Sequence, residues 1–312
     1  MRTQPVREQD WRGVFAVPPL ARKSDGHRSF DWRENDRLVA HLRGGGITRL
    51  IYGGNAFIYH LSLAEYEALL DWLVSQSDDL WCIPSAGPSY GRLQDQAGLL
   101  RAKKFPAVMH LPCGDPRDAS GLEAGLAEFA DASGTPLILY VKDEGNFGAD
   151  RERGLDAIAR LVDRGLCIGI KYAVPRSDPG VDPYLDGLLR RVDRSIVLSG
   201  IGERPAIVHL ERFGLAGYTT GSGCIGAGLT SDMFRLLSQA KYREAAPVRE
   251  QFLPLEDIRD QWGPARVLHA AMGAAGISNC GPIPPFVSAV PAEVMKQLRG
   301  AVDPLVKALA AR

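Results

Sequence analysis

Two side chains that could perform covalent chemistry lie near the ends of two short apolar runs. Lys171 comes late in the run 166–173, and Tyr140 comes late in the run 137–141. Runs of this kind predict buried strands of a parallel sheet. Because burial disfavours the charged ammonium form, we expect the pKa of Lys171 to be lowered and its neutral amine to be nucleophilic. Such an amine can form an imine (Schiff base) with a carbonyl substrate.

The tyrosine and the lysine together are a more specific signal than either residue alone. Neighbouring strands of a sheet lie about 4.8 Å apart, so consecutive strands would bring the Tyr140 phenol beside the Lys171 amine. A phenol in that position can shuttle protons during imine formation. Two alternatives remain open. Lys171 could extend from its strand end into water, and Tyr140 could pack under a loop with its hydroxyl bonded to backbone.

Further candidate site residues follow other apolar runs. His110 ends one run and is a candidate acid–base or substrate-binding group, although a histidine in such a run is commonly a packed core residue. Gly54 and Asn55 belong to a Gly-Gly-Asn turn whose backbone amides could bind a carboxylate, with a plain turn as the alternative. Gly200 and Ser222 lie in glycine-rich segments after the last two runs. Such segments leave room for a ligand, or equally form tight turns.

Eight apolar runs, alternating with amphipathic stretches, occupy the first 230 residues. The predicted strands are Gly13–Pro18, Arg49–Gly53, Leu80–Pro84, Ala107–Leu111, Pro136–Val141, Leu166–Lys171, Ser195–Gly200 and Leu215–Thr220. This alternation predicts an α/β fold, the (β/α)8 or TIM barrel, which takes roughly 250 residues. An open doubly wound sheet is the competitor, but no GxGxxG motif opens a first strand-to-helix turn.

After Thr230 the strand pattern stops and helical patterns continue. The predicted helices there are Ser231–Lys241, Pro247–Ile258, Pro264–Ala275 and Ala292–Ala310. We therefore expect a barrel over residues 1–230 and a C-terminal helical extension over residues 231–312, packed on the barrel as one structural unit. No linker rich in Gly, Ser or Pro separates the two parts.

Composition excludes several classes of function. The chain has 312 residues, with 37 basic and 37 acidic side chains, and a net charge of zero argues against nucleic-acid binding. No stretch approaches the roughly 18 apolar residues of a membrane span, and the first ten residues lack the apolar core of a secretory signal, so we expect a cytoplasmic protein. The five cysteines are widely spaced without a CxxC pair, which supports neither disulfides nor a metal site.

The chain resembles the dihydrodipicolinate synthase / N-acetylneuraminate lyase family of Schiff-base lyases. The resemblance is carried by Tyr140 at the end of the fifth predicted strand, Lys171 at the end of the sixth and Ser199-Gly200 at the end of the seventh. The helical extension, with Gly263-Pro264 and the proline-rich stretch 282–285, is also similar. The resemblance covers about residues 13 to 310.

This resemblance implies a lyase, either an aldolase or a dehydratase, acting on a 2-oxo acid such as pyruvate or on a keto-deoxy sugar acid. Lys171 would form the imine and Tyr140 would relay protons. The backbone amides of Gly54 and Asn55 would hold the substrate carboxylate. The mechanism needs no cofactor beyond the covalent imine and no metal. The family also implies a homodimer or homotetramer.

The chain departs from the family pattern at three places. The usual Gly-Thr-Thr-Gly-Glu loop is replaced by residues 53–57, Gly-Gly-Asn-Ala-Phe, so both threonine hydroxyls are missing. No tyrosine follows the fourth predicted strand, and the stretch 142–146, Lys-Asp-Glu-Gly-Asn, has an acid near the usual place of a substrate-binding arginine, with Lys142 as a candidate substitute cation. These departures argue against 4-hydroxy-tetrahydrodipicolinate synthase activity, which would join pyruvate to aspartate semialdehyde and which we keep as one alternative. The other alternative is a non-catalytic small-molecule-binding member.

A dehydratase branch acting on keto-deoxy-glucarate is somewhat more similar. It shares the Gly-Gly of the second loop with an aromatic-rich stretch behind it, and a Thr-Thr pair comparable with Thr219-Thr220. Serines in its eighth loop compare with Ser222. Specificity is set by loop geometry, so the natural substrate is not readable from these residues.

Overall fold

The eight predicted strands form a closed barrel. In the computed structural model, which describes residues 1–310 and the side chains through residue 307, the strands follow one another around the barrel in sequence order. Their bounds are β1 Val14–Ala16, β2 Arg49–Tyr52, β3 Trp81–Ala86, β4 Val108–His110, β5 Leu137–Val141, β6 Cys167–Tyr172, β7 Val197–Ser199 and β8 Gly217–Thr220. The predicted (β/α)8 fold is confirmed.

Helices alternate with these strands. They are α1 Trp32–Gly44, α2 Leu63–Val74, α3 Tyr90–Lys103, α4 Ala119–Ser133, α5 Arg151–Asp163, α6 Pro183–Leu189, α7 Ala206–Arg212 and α8 Ala227–Ser238. Aspartate side chains accept hydrogen bonds from backbone amides in the first turns of α4, α5 and α6, which satisfies amides that lack an intrahelical partner. Gly134 and Gly165 have positive φ where α4 and α5 return to the next strand, as the sequence predicts.

Four helices follow α8, and one of the predicted helices is divided. These are α9 Tyr242–Glu250, α10 Leu253–Trp262, α11 Pro264–Ala274 and α12 Ala292–Ala310. The prediction of one helix over Pro247–Ile258 is wrong, because the helical backbone is interrupted between the end of α9 and the start of α10. Pro254 lies in the first turn of α10, where a proline begins a helix but cannot continue one from the preceding residues. None of the helices within residues 1–310 combines the length and apolar character that crossing a membrane requires.

The chain divides into two compact units. The first comprises Met1–Gly13, Leu61–Ile201 and Val208–Tyr218, and it contains the strands β3 to β7. The second comprises Val14–His60, Gly202–Ile207 and the chain from Thr219 onward. Within the second unit, α8 contacts both α1 and β1, and α11 contacts the turn at Gly54–Ala56. The predicted division at residue 230 stays a prediction.

Candidate active site

Lys171 and Tyr140 are direct neighbours in the first unit. Their Cα atoms are register partners on the parallel strands β6 and β5. The Lys171 Nζ atom lies 4.2 Å from the centroid of the Tyr140 ring, above its face. Lys171 is only 5% exposed, whereas Tyr140 is half-buried. The lysine therefore does not extend into water, and the predicted juxtaposition of amine and phenol is present.

Two buried tryptophan side chains lie on the same side of β6 as Lys171. Gly169 precedes the lysine by two residues, so the two positions share one side of the strand. A methyl group at Gly169 would lie 2.2 Å from the Trp11 ring, so the indole fills the space in front of this glycine. Trp11 is buried and packs against Trp81 with 5.3 Å between ring centroids. Two tryptophans therefore fill the barrel interior below the lysine.

Gly200, predicted to bind substrate, lies against the backbone of β6. Its amide donates to the Tyr172 carbonyl at 2.6 Å, and a Cβ at this position would lie 2.6 Å from the same oxygen. Only glycine permits this approach. This close backbone contact explains why position 200 is a glycine. The predicted contact of Gly200 with substrate stays a prediction.

A polar network on the opposite face of β6 fixes the end of this strand. The Tyr172 hydroxyl donates to the buried Asp182 carboxylate at 2.7 Å, and Arg176 donates to the same carboxylate at 2.8 Å. Arg176 also pairs with Glu144 in the loop after β5. Burial and the hydrogen bond to Asp182 raise the pKa of Tyr172, and the hydrogen bond to Asp182 raises that of Arg176. The loops after β5 and β6 are therefore tied together.

A serine–histidine pair lies behind β7. The Ser199 hydroxyl and the His209 Nδ1 atom are 2.8 Å apart, and both side chains are buried. Ser199 is the register partner of Tyr172, so it points to the helix side of the sheet rather than to the side of Lys171. Burial lowers the pKa of His209 to about 4, so its imidazole is neutral near pH 7. The pair joins β7 to α7.

His110 lies apart from the Lys171–Tyr140 pair. Its register partner is Leu139, one residue before Tyr140, so its side chain points to the opposite face of the sheet. There it lines a cavity of about 570 Å³ between α3 and α4, together with Leu93 and Leu126. Burial lowers the pKa of His110 to about 4. This placement gives it no direct route to an imine on Lys171, and its predicted role in substrate binding is not supported by a contact.

The Gly-Gly-Asn turn belongs to the second unit and is built as a short 3-10 turn, Gly54–Ala56. The Asn55 side chain donates to the Val17 carbonyl at 2.8 Å and so braces β1. Phe57 ends the turn with φ of 54°, in the left-handed region that costs a non-glycine residue roughly 1 kcal/mol. Its ring packs on His269 of α11, with 5.1 Å between centroids. The Asn55 amide group is therefore committed to structure, and a carboxylate would be left to backbone amides.

Ser222 lies in a buried acidic cluster that sequence reasoning missed. Its hydroxyl accepts from Arg259 at 2.9 Å. Arg259 also approaches the Glu256 carboxylate at 3.6 Å, and Glu256 accepts from the backbone amide of Glu203 at 2.9 Å. Burial and the neighbouring Glu203 raise the pKa of Glu256 to about 8.

Glu203 is itself fully buried, and its carboxylate accepts hydrogen bonds from two hydroxyl groups. Thr220 donates to its carboxylate at 2.6 Å and Thr230 at 2.7 Å. Glu203 and Glu256 are 53 residues apart in the chain, and no local motif links them. The only sequence signal available was that an acid, Glu203, follows the glycine-rich end of the seventh predicted strand.

Comparison with solved structures identifies the architecture as that of dihydrodipicolinate synthases. The protein from Bacillus clausii matches with a TM-score of 0.79 at 20% sequence identity, covering 97% of this chain and 99% of that one. The 4-hydroxy-tetrahydrodipicolinate synthase of Methylacidiphilum fumariolicum SolV matches with a TM-score of 0.78 at 17% identity, covering 96% and 97%. The sequence matches no protein-family model, and a search of curated proteins gives no match. The resemblance is thus confirmed at the level of the fold.

Proposed function

We propose that the chain is a divergent Schiff-base lyase of the dihydrodipicolinate synthase / N-acetylneuraminate lyase family. The observation that carries this proposal is the buried Lys171 amine held 4.2 Å from the centre of the Tyr140 ring, at the register that the two strands impose. Similarity of the whole fold to solved dihydrodipicolinate synthases supports it. The substrate class is a 2-oxo acid, such as pyruvate, or a keto-deoxy sugar acid.

The proposed reaction begins when the neutral Lys171 amine attacks the keto carbon of the substrate. The new C–N bond gives a carbinolamine, and loss of its hydroxyl as water gives the protonated imine. The Tyr140 phenol gives and takes the protons of these steps. In an aldolase, the protonated imine accepts the electron pair of the adjacent C–C bond as it breaks, which gives an enamine and releases a carbonyl fragment. In a dehydratase, a base removes the proton from the carbon beside the imine and the C–H electron pair moves to the imine nitrogen. The resulting enamine then expels hydroxide from the next carbon, which leaves as water after protonation.

The surroundings of Lys171 favour this chemistry. The indoles of Trp11 and Trp81 exclude water from below the amine, and a dry site strengthens electrostatic interactions within it. The network of Tyr172, Asp182 and Arg176 holds the end of β6 from its other face, so the amine is presented by a rigid strand. The resemblance assigns the substrate carboxylate to Gly54 and Asn55. Assembly into a homodimer or homotetramer stays a prediction.

The alternative synthase activity is less well supported. The acid Glu144, near the place where that activity needs an arginine, is paired with Arg176 and with Arg151 at 2.7 Å. It therefore belongs to a structural network and offers no cation for the carboxylate of a second substrate. The non-catalytic alternative is less well supported, because Lys171 is buried beside the Tyr140 ring, as the proposed chemistry requires.

Borohydride trapping tests the proposal. The protein is incubated with pyruvate and, separately, with keto-deoxy sugar acids, then reduced and read by intact mass and peptide mapping. We expect a reduced adduct on Lys171 that is absent in Lys171→Ala and retained in Lys142→Ala, an exposed lysine just after β5. Absence of an adduct with every acid in the panel would reject the lyase proposal in favour of a binding protein.

A further inference from the structure

A separate recessed site lies within the second unit. A groove of about 320 Å³ is bordered by α11, by α12 and by the chain between them. Much of its wall is apolar, and the side chains that form this part are Ala270, Ala274, Ile283, Val290 and Met295. A groove of this size and lining suits a small organic ligand.

The charged side chains in this groove have one sign. Arg266 on α11 and Arg299 on α12 both line it, and of the residues described none with an acidic side chain does. Glu34 lies beside the segment between α11 and α12, where its carboxylate accepts a hydrogen bond from the Asn279 backbone amide. That carboxylate is already paired with Arg37. Arg266 donates to the carbonyl oxygens of Trp262 and Ser288, and these hydrogen bonds hold part of its guanidinium at the edge of the groove. Two guanidinium groups beside an apolar wall are a recognition pattern for a carboxylate that carries a hydrocarbon group.

His269 forms part of the inner wall. It is 5% exposed, and neither ring nitrogen has a hydrogen-bond partner of normal geometry among the described residues. Burial lowers the pKa of His269 to about 4 and outweighs the opposite effect of the Asn55 backbone, so the ring is neutral near pH 7. Attraction for an anion therefore comes from Arg266 and Arg299, and His269 supplies a buried ring whose resonance reports on the groove.

We propose that this groove binds a small organic carboxylate with a hydrocarbon chain. The carboxylate contacts Arg266 and Arg299, and the hydrocarbon packs against the alanines of α11 and Met295 of α12. This site goes beyond the proposed lyase function, because it uses neither Lys171 nor Tyr140. The ligand would lie one side chain away from Phe57, since His269 separates the groove from that residue.

Titration with isovalerate, a carboxylate that cannot form an imine, tests the site. The protein contains six histidines, and selective ¹³C labelling of their rings gives a resonance for His269 that His269→Gln identifies. We expect isovalerate to give a saturable shift of that resonance. The neutral isovaleramide and inorganic phosphate should each bind with an affinity lower by about tenfold or more. Phosphate binding as tightly as isovalerate would overturn the assigned ligand class, and no saturable shift with millimolar isovalerate would overturn the site.

A pair of glycine variants locates the binding. Gly273 lines the groove on α11, and a Cβ there meets open space, so Gly273→Leu adds a hydrocarbon side chain that competes with a ligand for the groove. Gly98→Leu is the matched control, because Gly98 is also a helical glycine facing open space, on α3 in the first unit. We expect Gly273→Leu to abolish the shift and Gly98→Leu to preserve it. Equal binding by both variants would show that isovalerate binds elsewhere.

An arginine variant tests the charge, and a lysine variant separates this site from the lyase proposal. Arg299→Gln should weaken isovalerate binding about tenfold, because one charge-assisted contact is lost. Unchanged affinity would overturn the assigned role of Arg299. The same titration in Lys171→Ala should give unchanged affinity, so failure of imine trapping and failure of this site are separate results.

Discussion

Two regions of this molecule bury ionisable side chains, and the two are built in opposite ways. In the first unit, Lys171 stands over the face of an aromatic ring and above a floor of tryptophans. In the second unit, Glu203 and Glu256 are buried among hydroxyls, backbone amides and the guanidinium of Arg259. The lysine is held between two neighbouring strands, beside the Tyr140 ring, whereas the acid cluster is stabilised by hydrogen bonds from separate segments of the chain.

This contrast separates reactivity from structure. Lys171 is the imine-forming residue of the proposed mechanism, so replacing it should abolish the chemistry with little effect on stability. Carboxyl groups whose oxygens accept several hydrogen bonds are poor nucleophiles, and removing one of their partners destabilises the fold. The Glu203–Glu256–Arg259 cluster should therefore contribute to stability rather than to reactivity. Each of the first three variants below is expected to affect one property and spare the other.

Arg259→Met should give the largest loss of stability. Removing the guanidinium leaves the buried acid pair without its cation, which costs about 3 to 4 kcal/mol in free energy of unfolding. Denaturant unfolding measures this loss, and Arg235→Met is the control, because Arg235 is an exposed arginine on α8 whose removal should change stability by less than about 0.5 kcal/mol. Equal effects of the two substitutions would show that the cluster does not stabilise the fold.

Tyr140→Phe should slow imine formation without unfolding the protein. The ring under Lys171 remains while the proton-shuttling hydroxyl is lost, so trapping with pyruvate should slow about a hundredfold. The contrasting variant is Tyr172→Phe, which removes a buried hydroxyl from Asp182 on the other face of β6 and should mainly reduce stability. A normal trapping rate in Tyr140→Phe would remove the tyrosine from the mechanism.

Glu256→Gln should change how stability depends on pH. The pKa of Glu256 in the folded protein, about 8, lies above its ordinary value of 4.5, so the folded state holds this proton more tightly than the unfolded state. The corresponding stability is fully present below pH 4.5 and is lost as pH rises through 8. Between pH 5 and pH 8 the parent should lose on the order of 3 to 4 kcal/mol that the glutamine variant keeps. Parallel stability curves for the two proteins would contradict the raised pKa.

The lysine region could be predicted from the sequence, and the acid cluster could not. The strand runs are local and periodic, so the barrel fixes which residues end neighbouring strands, and Tyr140 and Lys171 met at the expected register. The acid cluster depends on α10 bringing Glu256 to Glu203, a contact between distant segments with no spacing rule. His110 is a third case. Its position at the end of β4 follows from the sequence, but the face to which its side chain points depends on its pairing with Leu139 rather than with Tyr140, one residue further on.

Asp182→Asn should have the smallest effect and tests whether the outer network supports the lysine. Asp182 caps α6 and also accepts from Tyr172 and Arg176, and asparagine keeps the cap while losing the charge. We expect a loss of about 1 to 2 kcal/mol in free energy of unfolding and less than a tenfold slowing of imine trapping. Asp150→Asn is the matched control, since Asp150 caps α5 from an exposed position and should show neither effect. If the two variants trap pyruvate equally well, the network holds the loops together without positioning Lys171.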